Sequence, residues 1–429
     1  MIALLFISFL VFILLRIPVG FGMLLSCLIV IMFDGLPPML LALRIYEGLL
    51  PFPILAVPLF YVVGMLCNAT SITDRIMNLA RALVGRVQAG LAMVNIVASM
   101  LFAGVSGSST ADTAGIGSVI MPQMIKAGYS KPFTVAVTAV SSTLGNVIPP
   151  SIMMVIYGAF GNVSIGMLFL GGIIPGLLIG FGQMAVVYVL ARRYDFGKDD
   201  FAGTKGKRFL PAIAGGLAPL GVPIVIIGGI VGGIFTPTES ASAAIVYVLI
   251  LGIFIFRELN IRNSIELLVN GGKFVGLIMI MTSAAAVFGW LLAFYEFPET
   301  TVGLFDAFGA GRYGVLLAIV LLFLVLGTVL ESIPATIMFL PVIQALGDSA
   351  GIHPVQLGVI VVMTTALGLV TPPHGVCLLV ASKIMGIHPR RAMLMTVAFG
   401  GVALAVILLS VFIPDITLLI PRTLMAKYF

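Results

Sequence analysis

Apolar runs broken by short polar or charged stretches fill the chain, and their lengths predict helices throughout. Runs near 1–15, 17–33, 51–67, 131–160, 164–190, 211–233, 238–256, 273–295, 354–385 and 392–413 read as about ten spans, because about 20 apolar residues cross the hydrocarbon layer as a helix. Two further runs, 88–127 and 313–347, are interrupted centrally by small polar residues, GVSGSSTAD and GTVLESIP. Each predicts a helix, a tip and a returning helix, a re-entrant hairpin. Stretches 71–86 and 296–309 set charges at helical spacing beside apolar residues. They predict amphipathic helices, either interfacial arms that carry a moving part or plain surface linkers.

Two segments repeat each other. Ser141–Ser151 (SSTLGNVIPPS) and Thr364–His374 (TTALGLVTPPH) share Leu, Gly, Val and both prolines in register. Tandem proline stops a helix, and the freed backbone groups cannot stay unsatisfied in lipid, so such a break lines a cavity or binds something. Pro18 stands 219 residues before Pro237, Pro122 219 before Pro341, Asp112 219 before Glu331, and the proline doublets are 223 apart, which reads as one repeat with a four-residue insertion. An odd number of spans per unit makes the second copy enter from the opposite face, an inverted-topology repeat. The expected fold is an all-α polytopic membrane protein with two re-entrant hairpins and two discontinuous helices.

Composition agrees. Of 429 residues 61% are hydrophobic and 9% charged, too little polar surface for a soluble protein of this size, and 49 Gly and 24 Pro scattered through apolar segments suit close-packed, kinked membrane helices. The net charge of +6 needs no acidic partner such as nucleic acid, since basic residues in a bilayer protein mostly report orientation. With the spans above, Arg16, Arg75, Arg81, Arg86, Lys126, Lys131, the loop 191–208, Arg257, Arg262, Lys273, Lys383, Arg390 and Arg391 share one side, which is cytoplasmic by the positive-inside rule. Glu296, Glu299 and Asp306 then lie outside, and both termini face the periplasm, Arg422 and Lys427 with them. The opening MIALLFISFLVFILL lacks a basic region and a cleavage site, so a retained first span is expected. Cys27, Cys67 and Cys377 show no CxxC spacing and suggest neither zinc nor a disulfide framework.

The chain has no GxxxxGK followed by Ser or Thr, no HExxH and no GxSxG, and His353, His374 and His388 are scattered, so neither ATP hydrolysis nor hydrolase chemistry nor a metal cluster is expected. An ion gradient or a partner must supply energy. The first tip, Gly104–Thr113, gathers Gly104, Ser106, Ser108, Ser109 and Asp112; Ser141, Ser142, Thr143, Gly145 and Asn146 precede the first break. The second half offers Gly327, Thr328, Glu331, Ser332, Thr364, Thr365, Gly368 and Thr371 in matching places. Hydroxyls and unwound carbonyls replace the hydration shell of a hard cation with little fixed charge, which predicts two quasi-symmetric Na+ sites. Asp112 and Glu331 are either functional carboxylates or caps on returning helices, and Glu239 in FTPTES reads as a cap. An anionic substrate would meet Ser108 and the helix starts Pro149-Pro150-Ser151 and Pro372-Pro373-His374, with Asn146 a candidate contact because Leu369 stands in its place in the other copy. An intramembrane enzyme built on Asp112 and Glu331 is the alternative from another class.

The runs GSSTADTAGIGSVIMPQMIKAGYSKPF, AVSSTLGNVIPPSIMMVIYGAF, GMLFLGGIIPGLL, GGIFTPTESASAAIVY and LGLVTPPHGVCLLVAS closely resemble the large membrane subunit of TRAP transporters, the DctM family, over nearly the whole chain. The resemblance implies an elevator-type secondary transporter in a bacterial inner membrane, in which hairpins and broken helices slide against a scaffold. It implies Na+-driven uptake of an organic acid, such as a C4-dicarboxylate or sialic acid, delivered by a periplasmic substrate-binding protein. A small four-helix membrane subunit is expected as a separate polypeptide. The ion and substrate region is carried over to Gly104–Thr113, Ser141–Ser151, Leu326–Pro334 and Thr364–His374. The units expected are 1–87 (scaffold helices and arm), 88–160 (first hairpin and broken helix), 161–210 (span and basic loop), 211–312 (scaffold helices and arm), 313–387 (second hairpin and broken helix) and 388–429 (last span and tail). A self-sufficient ion-coupled carrier or exchanger would share the same repeat.

Overall fold

The computed structural model describes residues 1–194, 196–197, 209–373 and 375–428; most of the expected basic loop and the whole of His374 lie outside the described residues. In chain order the helices are α1 Ile2–Leu14, α2 Val19–Phe33, α3 Met39–Glu47, α4 Ala56–Asn68, α5 Ile72–Val84, α6 Gly90–Ser106, α7 Ser109–Lys126, α8 Lys131–Ser142, α9 Leu144–Val147, α10 Ile152–Gly161, α11 Ile165–Tyr194, α12 Phe209–Val231, α13 Pro237–Ile250, α14 Ile261–Phe294, α15 Phe297–Ala307, α16 Arg312–Gly327, α17 Ser332–Ser349, α18 Pro354–Gly368, α19 Val376–Met385, α20 Met393–Phe412 and α21 Asp415–Leu424. No strand occurs among the described residues.

Both predicted hairpins are present. α6 turns into α7 over Gly107 and Ser108, and α16 into α17 over Thr328 to Glu331. Gly107 sits at φ +61°, a left-handed conformation open to glycine, and a Cβ there would stand 2.9 Å from the carbonyl oxygen of Pro150, so the tip also needs a residue without a side chain. Both proline doublets break their helices, separating α9 from α10 and α18 from α19. α5 is amphipathic as expected, burying Ile72, Thr73, Ile76, Met77, Leu79 and Ala80 on one face and exposing Asp74 and Asn78. The short α3 and the C-terminal α21 were not expected. Glu239 caps as predicted: its carboxylate accepts from the Thr236 amide at 2.8 Å while the Thr236 hydroxyl accepts from the Glu239 amide at 3.3 Å.

Among the described residues six helical stretches are long and apolar enough to cross a bilayer, or up to seven when the pair Met39–Glu47 and Phe52–Asn68, bent by 71°, counts as one. α1 and α2, with 13 and 15 residues, fall short of the roughly 20 that span unaided. Large apolar side chains such as Leu14, Phe33, Phe254 and Leu394 stay exposed, a surface suited to lipid. The chain is a multi-pass membrane protein.

The repeat is correct in outline but its register needs a correction. Ser108 precedes α7 as Glu331 precedes α17, and α8 begins at Lys131 as α18 does at Pro354; both offsets are 223, the offset of the proline doublets. Glu331 therefore corresponds to Ser108, and Asp112 to Ala335. The 219-residue matches of Asp112 with Glu331 and Pro122 with Pro341 are one helical turn out of register, which a proline-rich chain produces by coincidence. The two copies also cross: α10 packs on α17 of the second hairpin, and α19 packs on α7 and α8 of the first.

Candidate functional site

A cavity of about 130 Å³ lies where the two hairpin tips meet. The first tip contributes Gly107, Ser108, Ser109 and Thr110, the second Glu331, Ser332 and Ile333. Asn146 and Leu369, at equivalent places before the two breaks, face it, as do Ile152, Met153 and Val376 just after them. Tyr61 of α4 and Ile278 of α14 close it from outside the repeats' hairpins.

The first tip is organised by hydrogen bonds. Ser108 caps α7 by accepting from the Ala111 amide at 3.5 Å, and its own amide donates to the Ser106 hydroxyl at 3.2 Å. The Ser109 amide donates to Asn146 Oδ1 at 3.2 Å and its hydroxyl to the Thr143 carbonyl at 3.3 Å, so Asn146 ties the tip to the end of the broken helix. Asp112 lies behind the tip, fully buried. It accepts from the Ser106 hydroxyl, its Oδ2 has no hydrogen-bond partner, and a Cβ at Gly145 would collide with that oxygen. Asp112 lies in the first turn of α7, at the positive end of the returning helix as the capping reading has it, while the capping hydrogen bond itself is made by Ser108. Glu331 occupies the capping position of α17 but makes no capping hydrogen bond; it lines the cavity.

Several predicted hydroxyls donate to carbonyls of their own helices: Ser142 to Thr138 at 2.7 Å, Thr143 to Val140 at 2.7 Å, Thr364 to Ile360 at 2.7 Å, Thr365 to Val361 at 3.0 Å and Thr371 to Leu367 at 2.9 Å. A hydroxyl whose proton is committed this way keeps oxygen lone pairs for a cation and none of its donor capacity for an anion. Gly327 and Gly368 are packed against each other, and the Ser332 hydroxyl reaches the Thr365 carbonyl at 3.5 Å, so the second cluster is assembled too. Gly104 lies behind the first tip against Pro223, and partly exposed Thr328 donates to Val325 at 2.7 Å.

Pro149, Pro150, Ser151, Pro372 and Pro373 do not line the cavity; the residues that follow them do. The Ile152 amide donates to the Gly107 carbonyl at 3.3 Å, and the Met154 amide to the Ser151 hydroxyl at 3.3 Å, so these two amides are spent inside the protein. The Ser141 hydroxyl stands 3.0 Å from that of Ser99 on α6. Tyr61, Ile278 and Met153 escaped sequence reasoning, because apolar or aromatic residues in spans carry no local mark of a cavity. Among the described residues no cluster of His, Cys, Asp and Glu forms a metal centre.

The family described as the tripartite ATP-independent periplasmic transporter, DctM component, matches residues 6–416. The isethionate TRAP transporter permease protein DctMQ of Oleidesulfovibrio alaskensis is 34% identical over 95% of the chain, which spans 64% of that relative's length. The sialic acid TRAP transporter large permease protein SiaM of Vibrio cholerae is 35% identical over 94% of the chain and 95% of its own length. The ectoine TRAP transporter large permease protein TeaC of Halomonas elongata is 35% identical over 80% of each.

Proposed function

The chain belongs to the DctM family, the large membrane subunits of tripartite ATP-independent periplasmic transporters, and from that premise we propose that it imports an organic acid, driven by Na+, with a periplasmic binding protein and a small membrane subunit as partners. It is a transporter and not an enzyme, as its relatives are permeases. The observation that carries the reading is the cavity itself: both tips and both helix breaks converge on it, with Tyr61 and Ile278 forming the opposing wall. Hairpins moving as one body against that wall, by an elevator motion, would expose the cavity first to one side and then to the other.

Na+ is favoured because the clusters behind the tips are rich in oxygen acceptors and poor in fixed charge. Ser106, Ser108, Ser109, Asp112, Thr143 and Gly145 would serve the first site, and Gly327, Glu331, Ser332, Thr364, Thr365, Gly368 and Thr371 the second. Two Na+ entering with a monoanion move one net charge, worth ~2.3 kcal/mol per 100 mV, enough for more than roughly tenfold accumulation before any concentration gradient. The relatives are named for isethionate, sialic acid and ectoine, a spread that leaves the identity of the substrate to the binding protein. The units 88–160 and 313–387 would move, and 1–87 and 211–312 would stay fixed. With the spans read from the sequence, the protein would sit in a bacterial inner membrane with both termini periplasmic, the orientation that the distribution of basic residues supports.

The test is uptake into proteoliposomes containing this chain and its small subunit, with the binding protein outside. Uptake should vanish when choline replaces Na+ at fixed pH and when the binding protein is omitted. Equal uptake in choline refutes the coupling; uptake without the binding protein favours a self-sufficient carrier.

A further inference from the structure

The two repeats line the cavity between the tips unequally. At the offset of 223 that relates the helix starts, Ser108, Thr110 and Asn146 of the first half match Glu331, Ile333 and Leu369 of the second, and all six face the cavity. Each of these hydrogen-bond donors is thus replaced by a carboxylate or a hydrocarbon. Ser109 and Ser332 match each other, but both hydroxyls are spent on backbone carbonyls, of Thr143 at 3.3 Å and of Thr365 at 3.5 Å.

The donors of the first half are held ready for a ligand. The Ser109 amide donates to Asn146 Oδ1 at 3.2 Å, which turns Nδ2 the other way; Asn146 is 5% exposed, and its Nδ2 makes no hydrogen bond among the described residues. Of the first four amides of α7, Ser109 donates to Asn146, Ala111 to Ser108 Oγ and Asp112 to the Ser108 carbonyl. That leaves the Thr110 amide, at the positive end of an 18-residue helix, with the Thr110 hydroxyl 3.2 Å from Ser108 Oγ. An unspent amide, a hydroxyl and a buried carboxamide NH2 on one cavity make a site for a single anionic group.

The second half has no place for another. Pro334 removes one amide from the start of α17, and those of Ser332 and Ile333 directly follow Glu331, which brings its own carboxylate to that helix end. Ionised, Glu331 repels an anionic group; neutralised by a bound cation, it still donates nothing. Ile333, Leu369, Val376 and Ile278 line the rest with hydrocarbon, against which an anion would lose its hydration without a substitute. A cavity of about 150 Å³ holds a six-carbon ring, so one of about 130 Å³ suits roughly six to eight non-hydrogen atoms.

Resting on the organic-acid reading above, we propose that the substrate is a small monoanion. Its one carboxylate or sulfonate is held by Thr110 and Asn146 at the first tip, and its neutral, largely apolar remainder lies against Ile333, Leu369 and Val376. A dicarboxylate would place its second charge beside Glu331, and a sugar acid would overfill the space. Neither Thr110 nor Asn146 serves a cation site in the reading above, so substrate and ions do not compete for ligands.

The experiment isolates the binding protein that supports uptake by this chain and identifies its natural cargo by mass spectrometry. A singly charged acid of roughly ten non-hydrogen atoms or fewer is expected. A dicarboxylate, a larger acid or an acid bearing a cationic group overturns the inference and leaves the organic-acid reading standing; a cargo without an acid group overturns both. In proteoliposomes with the small subunit and the loaded binding protein, Thr110→Val and Asn146→Asp should each cut uptake of that cargo by roughly tenfold or more. Asn146→Asp keeps the acceptor for the Ser109 amide and sets a negative charge where the donor stood. Sodium should still raise the melting temperature of the purified Thr110→Val chain. Wild-type uptake by Thr110→Val, or loss of that sodium effect, removes the anionic group from the first tip.

Discussion

Gly327 and Gly368 face each other so closely that a Cβ on Gly368 would stand 2.6 Å from the Cα of Gly327, and one on Gly327 2.8 Å from the Cα of Gly368. The contact seats the second hairpin on the end of α18 just ahead of its proline break. Neither backbone can yield without moving the tip that carries Glu331 and Ser332 into the cavity. Gly368→Ala is expected to destabilise by ~1–3 kcal/mol through overpacking and to cut uptake by roughly tenfold or more. Thermal melting and proteoliposome uptake check the two parts; a melt and a transport rate equal to wild type would show that the hairpin gives way freely.

The breaks and hairpins were legible because each leaves a local mark: two prolines in an apolar run, or a cluster of Gly, Ser and Thr at its centre. Partners across space leave none. Nothing in the chain of α10 says that it packs on α17, and nothing in Ser141 says that it faces Ser99. The register error has the same origin. Matching Asp112 to Glu331 used residue type, whereas the capping positions Ser108 and Glu331 fix the turn at which each helix starts. α3 and α21 were missed because nine- and ten-residue helices beside spans barely change the hydropathy pattern.

Asn146 departs from the symmetry of the repeat, and its Oδ1 is the acceptor for the Ser109 amide. Asn146→Leu installs the residue of the second copy. It should strand that amide at a cost of ~1–3 kcal/mol and detach the tip from the broken helix. Uptake is expected to fall by roughly tenfold or more while the protein still folds. A variant transporting at the wild-type rate would remove Asn146 from the working site.

Ser151 fastens the break from its other side, donating to the Asn146 carbonyl at 2.5 Å and accepting from the Met154 amide at 3.3 Å. Ser151→Ala loses both bonds and should cost about 1–2 kcal/mol. Ser151→Thr, which keeps the hydroxyl, should restore most of the stability. A melting series across the three proteins decides the matter, and equal loss in the threonine variant would point to crowding in place of capping.

His353 supplies a pH dependence whose sign is fixed by its surroundings. Its Nδ1 accepts from the Val355 amide at 3.2 Å, capping α18 ahead of Pro354. Burial, then the charges of Arg422 and Arg312, hold the imidazole below its ordinary value, although Asp348 lines the same pocket. The fold thus favours the neutral ring. Its contribution is fully present above the unfolded value near about 6.5 and is lost as the pH falls through the lower folded value, because protonation costs desolvation and removes the acceptor. Melting temperature should therefore drop between about pH 7 and about pH 5. Exposed carboxylates also begin to titrate at the acid end, so the comparison is with His353→Asn, whose side-chain oxygen accepts the same amide and cannot charge. The variant should show a flatter profile; an identical slope in both proteins would assign the acid sensitivity to other groups.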